Sequence, residues 1–242
     1  MNKSTALIAS AMMLTSYTAA ADTLFGVYAG AQGWDMAAEG SYGYQDEELN
    51  YRFEDETQSR FYIALEHPIP VIPNIKIAQS EISTCGFQSS DASSSSSADC
   101  SESEIDFNYT DYTLYYEIFD NGLFSFDLGV TAKDFEGDFI ASNSFGFNES
   151  VDEIIPMLYV AAEVGIPATG LSVFAEGNFL SIDDSTLSDY QVGVAYALID
   201  NMLIDVNLSA GYRVVSLELD DLDDVYADLE FDGAFAGVEV HF

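Results

Sequence analysis

The stretch Ile204-Asp205-Val206-Asn207-Leu208-Ser209-Ala210-Gly211-Tyr212-Arg213-Val214 decides the fold. Apolar side chains stand at every even position, and polar, charged or small ones fill the odd positions. A period of two is the signature of a strand with one apolar and one polar face. The pattern recurs along the chain. Phe61, Ile63 and Leu65 alternate with Arg60, Tyr62, Ala64 and Glu66, and Leu114, Tyr116 and Ile118 with Thr113, Tyr115 and Glu117. Phe124, Phe126, Leu128 and Val130 repeat it, as do Leu158–Val164, Leu171–Ala175, Tyr190–Tyr196 and the terminal Val238, Val240 and Phe242.

These runs predict an all-β chain: an antiparallel up-and-down transmembrane β-barrel of ten strands. The strands are expected at roughly 24–36, 51–66, 74–85, 105–119, 123–135, 153–165, 171–182, 187–199, 202–217 and 228–242. Connections alternate in length. Short ones are 67–73, Asp120-Asn121-Gly122, 167–170 and Asp200-Asn201; Asn-Gly and Asp-Asn are tight-turn dipeptides. Longer ones are expected at 37–50, 86–104, 136–152 and 218–227, with a shorter one at 183–186. Short turns at one rim and long loops at the other are the arrangement of outer-membrane barrels. The apolar face would then meet lipid, with Phe61, Ile63, Leu65, Phe126, Leu128, Val192, Val194, Val206 and Leu208 on it. The polar face would line the lumen.

The N-terminus reads as an export signal. Lys3 is followed by the apolar run 6–14 and by small residues up to Ala21, before Asp22. That predicts a signal peptide at 1–21 and a barrel domain at 22–242. The expected location is the outer membrane, with both termini periplasmic. An amphipathic last strand ending in Phe242 resembles the C-terminal signal read by the barrel assembly machinery, an expected partner during insertion.

Charge restricts the partners. Asp and Glu number 42 against six Lys and Arg, a net of −36; removal of Lys3 takes the mature chain to −37. Phosphate backbones need Lys and Arg, so nucleic acid is excluded as a natural partner. Lipid and lipopolysaccharide are the expected surroundings. The acids 220, 221, 223 and 224 (Asp220, Asp221, Asp223, Asp224) form a candidate site for divalent cations, since carboxylates suit hard ions. Their spacing matches no ordered calcium loop, and a merely solvated loop is the competing reading. Cys85 and Cys100 flank a serine run, and in an exported chain they predict one disulfide.

Two segments carry a family resemblance. They are Asp22-Thr23-Leu24-Phe25-Gly26-Val27-Tyr28-Ala29-Gly30-Ala31-Gln32-Gly33-Trp34 and Phe61-Tyr62-Ile63-Ala64-Leu65-Glu66-His67-Pro68-Ile69-Pro70-Val71-Ile72-Pro73-Asn74-Ile75-Lys76. Together they resemble a small, uncharacterised family of Gram-negative outer-membrane β-barrel proteins. The resemblance implies fold and location, and brings no activity with it.

Chemistry is sparse. Omptin-type surface proteases also have ten strands, but use a His-Asp pair and an Asp pair at the outer rim. Here the two histidines, His67 and His241, both fall at the short-turn end. Neither a nucleophile elbow nor a zinc-binding or CxxC motif is present. No catalytic site or cofactor is expected. The inward-facing charges are the remaining candidates: Arg60, Glu66, Glu117, Lys133, Glu163, Glu176, Asp205, Arg213 and Glu239. Buried charges must pair. A structural salt-bridge network is one reading; a narrow cation-preferring conduit is the other. Tyr62, Tyr115, Tyr159 and Phe174 inside would leave little room for ions.

Overall fold

The computed structural model describes residues 25–44, 49–88, 103–141, 147–182, 185–201, 203–222 and 225–242. The expected signal peptide and Cys100 lie outside them. Every regular element is a strand: β1 (Gly26–Tyr44), β2 (Leu49–Phe53), β3 (Glu56–Glu66), β4 (Asn74–Gln88), β5 (Ser103–Asp120), β6 (Phe124–Ala141), β7 (Phe147–Ile166), β8 (Leu171–Ile182), β9 (Ser185–Asp200), β10 (Asp205–Leu222) and β11 (Val225–His241). All ladders are antiparallel, and neighbours in sequence are neighbours in space. β1 pairs with β11 from Tyr28↔His241 to Tyr44↔Val225, which closes the sheet on itself.

β2 and β3 are two halves of one stave, giving a ten-stranded barrel. Both halves pair with β1 and with β4. At the break, the Glu54 amide donates to the Cys85 carbonyl at 2.9 Å, and Thr84 Oγ1 donates to the Glu54 carbonyl at 2.8 Å. The β5–β6 turn is tight, as expected, whereas β10 begins only at Asp205, so Asp200-Asn201 does not by itself join β9 to β10. At the β5–β6 turn the amides of Leu123 and Phe124 donate to Asn121 Oδ1, and Gly122 takes a φ of 72°. A left-handed backbone at that position favours glycine.

The expected long loops are largely strand. β1 runs to Tyr44, β6 to Ala141 and β10 to Leu222, so paired strands occupy most of 37–50, 136–152 and 218–227, while 89–102 of the expected loop 86–104 lie outside the described residues. Asp220 and Asp221 therefore belong to β10 rather than to a loop, while Asp223 and Asp224 lie outside the described residues. The reason is a switch in which face is apolar. On β5, Tyr112, Leu114, Tyr116 and Ile118 point outward and are exposed; further up the same strand, Ile105, Phe107 and Tyr109 point inward and are buried. β10 and β11 repeat the switch: Leu208 and Val238 are outward, Val215, Leu229 and Phe231 inward. Apart from the irregularities at Glu117/Phe119 and Val206/Asn207, alternation continues along these strands while its apolar phase reverses.

The barrel is thus built in two zones. Around the short-turn half runs an outward apolar band containing Phe61, Ile63, Leu65, Ile77, Leu114, Leu128, Val130, Val173, Val192, Val194 and Leu208, all exposed. Phe126 and Val206, expected there too, are half-buried. Around the long-hairpin half the outward face is acidic, with Asp35, Glu39, Glu81, Glu136, Asp152, Glu218, Asp228 and Glu230 exposed. Inside that half lies an apolar core of Trp34, Met36, Phe53, Ile82, Ile105, Phe107, Phe135, Val215, Leu229, Phe231 and Phe235.

Candidate functional site

Where the two zones meet, charged side chains reach across the lumen and pair. Four of the chain's six cations stand at this level: Arg60 on β3, Lys76 on β4, Lys133 on β6 and Arg213 on β10. Each is at an inward position of its strand, because the alternate neighbours carry the outward apolar band.

Two ion clusters form. In the first, Arg213 grips Asp189 of β9 in a fork: Nε donates to Oδ1 at 3.0 Å and Nη2 to Oδ2 at 2.9 Å. The planar guanidinium suits this bidentate geometry. Nη2 also donates to the Tyr109 hydroxyl at 2.8 Å, and the guanidinium carbon sits 4.9 Å from the centre of the Trp34 ring. Lys133 bridges the same Asp189 at 3.2 Å and Asp111 at 2.8 Å, with its ammonium 3.6 Å from the centre of the Tyr109 ring. Lys133, Asp111 and Arg213 are each no more than 2% exposed. In the second cluster, Glu176 of β8 receives Lys76 at 2.7 and 2.8 Å and Arg60 at 3.3 Å.

Neutral polar groups complete the layer. Thr131 donates to Asn178 Oδ1 at 2.6 Å. A hydroxyl has one proton, so Thr113 must be the donor in its 2.8 Å contact with Thr131. One layer toward the short turns, Tyr62 donates to Glu239 at 2.8 Å and Tyr115 to Glu66 at 2.7 Å. Gly30 makes the first of these possible. It faces Tyr62 across the β1–β3 ladder, and a Cβ there would lie 2.2 Å from the ring.

The structure brings together Arg60, Lys133, Glu176 and Arg213 of the expected inward charges. Glu66 and Glu239 stand just below as acceptors for tyrosines. Glu117 and Glu163 share the inward phase but are exposed at the short-turn mouth. Asp205 is drawn away from the network to His241, whose Nδ1 lies 3.3 Å from its carboxylate and whose ring stacks on Tyr28 at 4.1 Å. His67 serves its turn, accepting the Ile69 amide at Nδ1. Lys76, Asp111 and Asp189 are network members the sequence reading passed over. Lys76 carried a clear signal, an inward position between the outward Ile75 and Ile77; Asp111 and Asp189 have an outward aromatic neighbour on one side only, Tyr112 and Tyr190.

Cys85 is half-buried near the upper end of β4. No cysteine among the described residues is free. The described residues contain no group of His, Cys, Asp and Glu suited to a metal ion; the side chains of Asp220 and Asp221 are not among those described.

Neither a family model nor a curated protein matches this sequence. Solved structures do resemble it. The outer membrane protease OmpT from Escherichia coli matches at a TM-score of 0.49 and 12% identity, over 92% of this chain and 99% of that one. Neisserial surface protein A matches at 0.36 and 13%, over 91% and 98%. Ail, the attachment invasion locus protein of Yersinia pestis, matches at 0.34 and 14%, over 90% and 99%. Likeness at this level says nothing of activity, substrate or site.

Proposed function

We propose that this chain is an integral outer-membrane barrel whose lumen is shut and whose long-hairpin half stands outside the membrane as an interaction surface. The short-turn rim, which carries both ends of the described barrel, is assigned to the periplasm. The observation that carries this reading is the pairing of two facts: a buried ionic belt under an apolar roof, and staves longer than a membrane requires. β5 has 18 residues. At about 3.4 Å per residue and a tilt of about 40° it climbs roughly 45 Å, against an apolar band of about 25 Å. The surplus is the acidic half, which belongs in water.

A cation-preferring conduit is less well supported. The constriction carries four cations against the three carboxylates that pair with them, and the space above it is lined by Phe107, Phe135, Leu187, Val215 and Phe231. Ions would meet positive charge and then an apolar barrier. The proposed surroundings are lipid and the lipopolysaccharide leaflet, with Phe242 presented to the assembly machinery; a Cys85–Cys100 disulfide is proposed in the hairpin between β4 and β5. Planar-bilayer recording of the purified barrel tests the closed state. No steady conductance is expected, and cation-selective steps would overturn it. Accessibility of Glu39→Cys and Glu230→Cys to an impermeant thiol reagent on whole cells tests the orientation.

A further inference from the structure

The longest gap in the ladders of the barrel wall, among the described residues, lies beside β7. β7 pairs with β6 along its whole length, from Ala141↔Phe147 to Phe124↔Val164. On its other side it pairs with β8 only up to Leu158↔Phe179. β8 itself continues to Ile182, bonded to β9 alone. The seam parts at Pro156, which has no N–H to donate. Above it, the backbone of residues 147–157 has a strand partner on one edge only among the described residues. An unpaired strand edge of this length is a template for another strand.

We infer that this edge of β7 accepts an extended cationic peptide segment, which adds to the sheet by β-augmentation. The charge on the page selects the occupant. β7 contains no Lys or Arg, whereas Glu149, Asp152 and Glu153 lie within the free stretch. The neighbouring strand adds the exposed Glu136 directly opposite Asp152. A second copy of this chain is disfavoured. Antiparallel self-pairing centred on Val151 sets Glu149 against Glu153 twice; centred on Asp152 it sets that residue against itself. Like charges opposite one another destabilise a ladder. Positions 149 and 153 share one face of the stretch and Ile154, which is 68% exposed, lies on the other, so a strand of alternating residues sets its cationic face beside 149 and 153 and its apolar face over Ile154.

The inference deepens the surface-interaction reading and rests on it for its physiological setting. The test uses the purified full barrel folded in detergent, so its failure leaves the membrane orientation, read by thiol labelling, standing. The probe is a ten-residue peptide of alternating Lys and Val, followed by amide hydrogen exchange. Amides of residues 147–157 are expected to slow at least tenfold, and 0.5 M NaCl to reverse most of the effect. A Lys-Pro peptide of equal charge cannot complete the ladder and should give no such slowing. Equal slowing by both peptides, slowing confined to other strands, or no slowing at all would overturn the proposal. Slowing with rising protein concentration and no peptide would reassign the edge to self-association and equally overturn it.

Discussion

At the scale of single residues, the lumen rests on a balance that one substitution upsets. Arg213 and Lys133 share Asp189, and Lys133 also holds Asp111. Replacing Arg213 by Met leaves one ammonium for two buried carboxylates. Breaking a buried pair in this way costs about 3–5 kcal/mol. Adding Asp189→Asn restores one cation to one anion, so R213M/D189N should regain part of the loss. Thermal unfolding in detergent would show it; a double variant less stable than R213M would show that charge balance is not what matters. Gly30→Ala acts by volume. Its methyl group would meet the Tyr62 ring, and overpacking of this kind costs about 1–3 kcal/mol. Tyr62 should then lose Glu239, with Tyr62 fluorescence or the Tm reporting the change. An unchanged Tm would mean the ring swings away freely.

At the scale of the strand, the same stave should cross two environments without losing its alternation. On β5, a spin label at Leu114 should collide with dissolved oxygen and not with a polar relaxer. A label at Asn108, six residues on and on the same outward face, should show the reverse. Lipid contact at both would mean that the acidic half is immersed. The β7–β8 seam makes a second element-level prediction. Pro156→Val restores a donor, so the ladder should extend and slow hydrogen exchange at residues 155–157 by several-fold. No slowing there would place the cause of the break elsewhere than the proline.

For the whole molecule, the decisive quantity is the distribution of charge. With most of the cations drawn into the lumen, acids face acids on the outside: Glu39 opposes Glu230, Glu136 opposes Asp152, and Glu218 opposes Asp228. Each such pair is unfavourable by about 0.2–1 kcal/mol. Raising ionic strength from 0.01 M to 0.15 M shortens the screening length from about 30 to about 8 Å, so the folded barrel should become more stable. Denaturant midpoints at matched pH would show this, and a midpoint that falls with salt would contradict it. Calcium should bind weakly and at many places. Calorimetry on the native chain and on one with Asp220, Asp221, Asp223 and Asp224 changed to Asn should differ only in part; one tight site removed by those changes would mark an ordered centre instead.

Alternation at Ile204–Val214 and its repeats was enough to determine an all-β antiparallel barrel of ten staves, the tight turn at Asn121-Gly122, and the inward phase of Arg60, Lys133, Glu176 and Arg213. Period and turn chemistry are local, so one strand's residues reveal them. The reversal of the apolar phase was also written locally, in Ile105, Phe107 and Tyr109 against Tyr112, Leu114 and Tyr116, but its meaning was not. An inward apolar side chain needs partners on the facing wall, and those come from strands far away in sequence, as when Phe107 meets Phe231 at 5.9 Å. The pairing of cations was decided the same way. Alternation places a charge in the lumen, but which carboxylate it meets depends on register and closure, and Lys76 finds Glu176 a hundred residues away only because the barrel brings β4 across from β8.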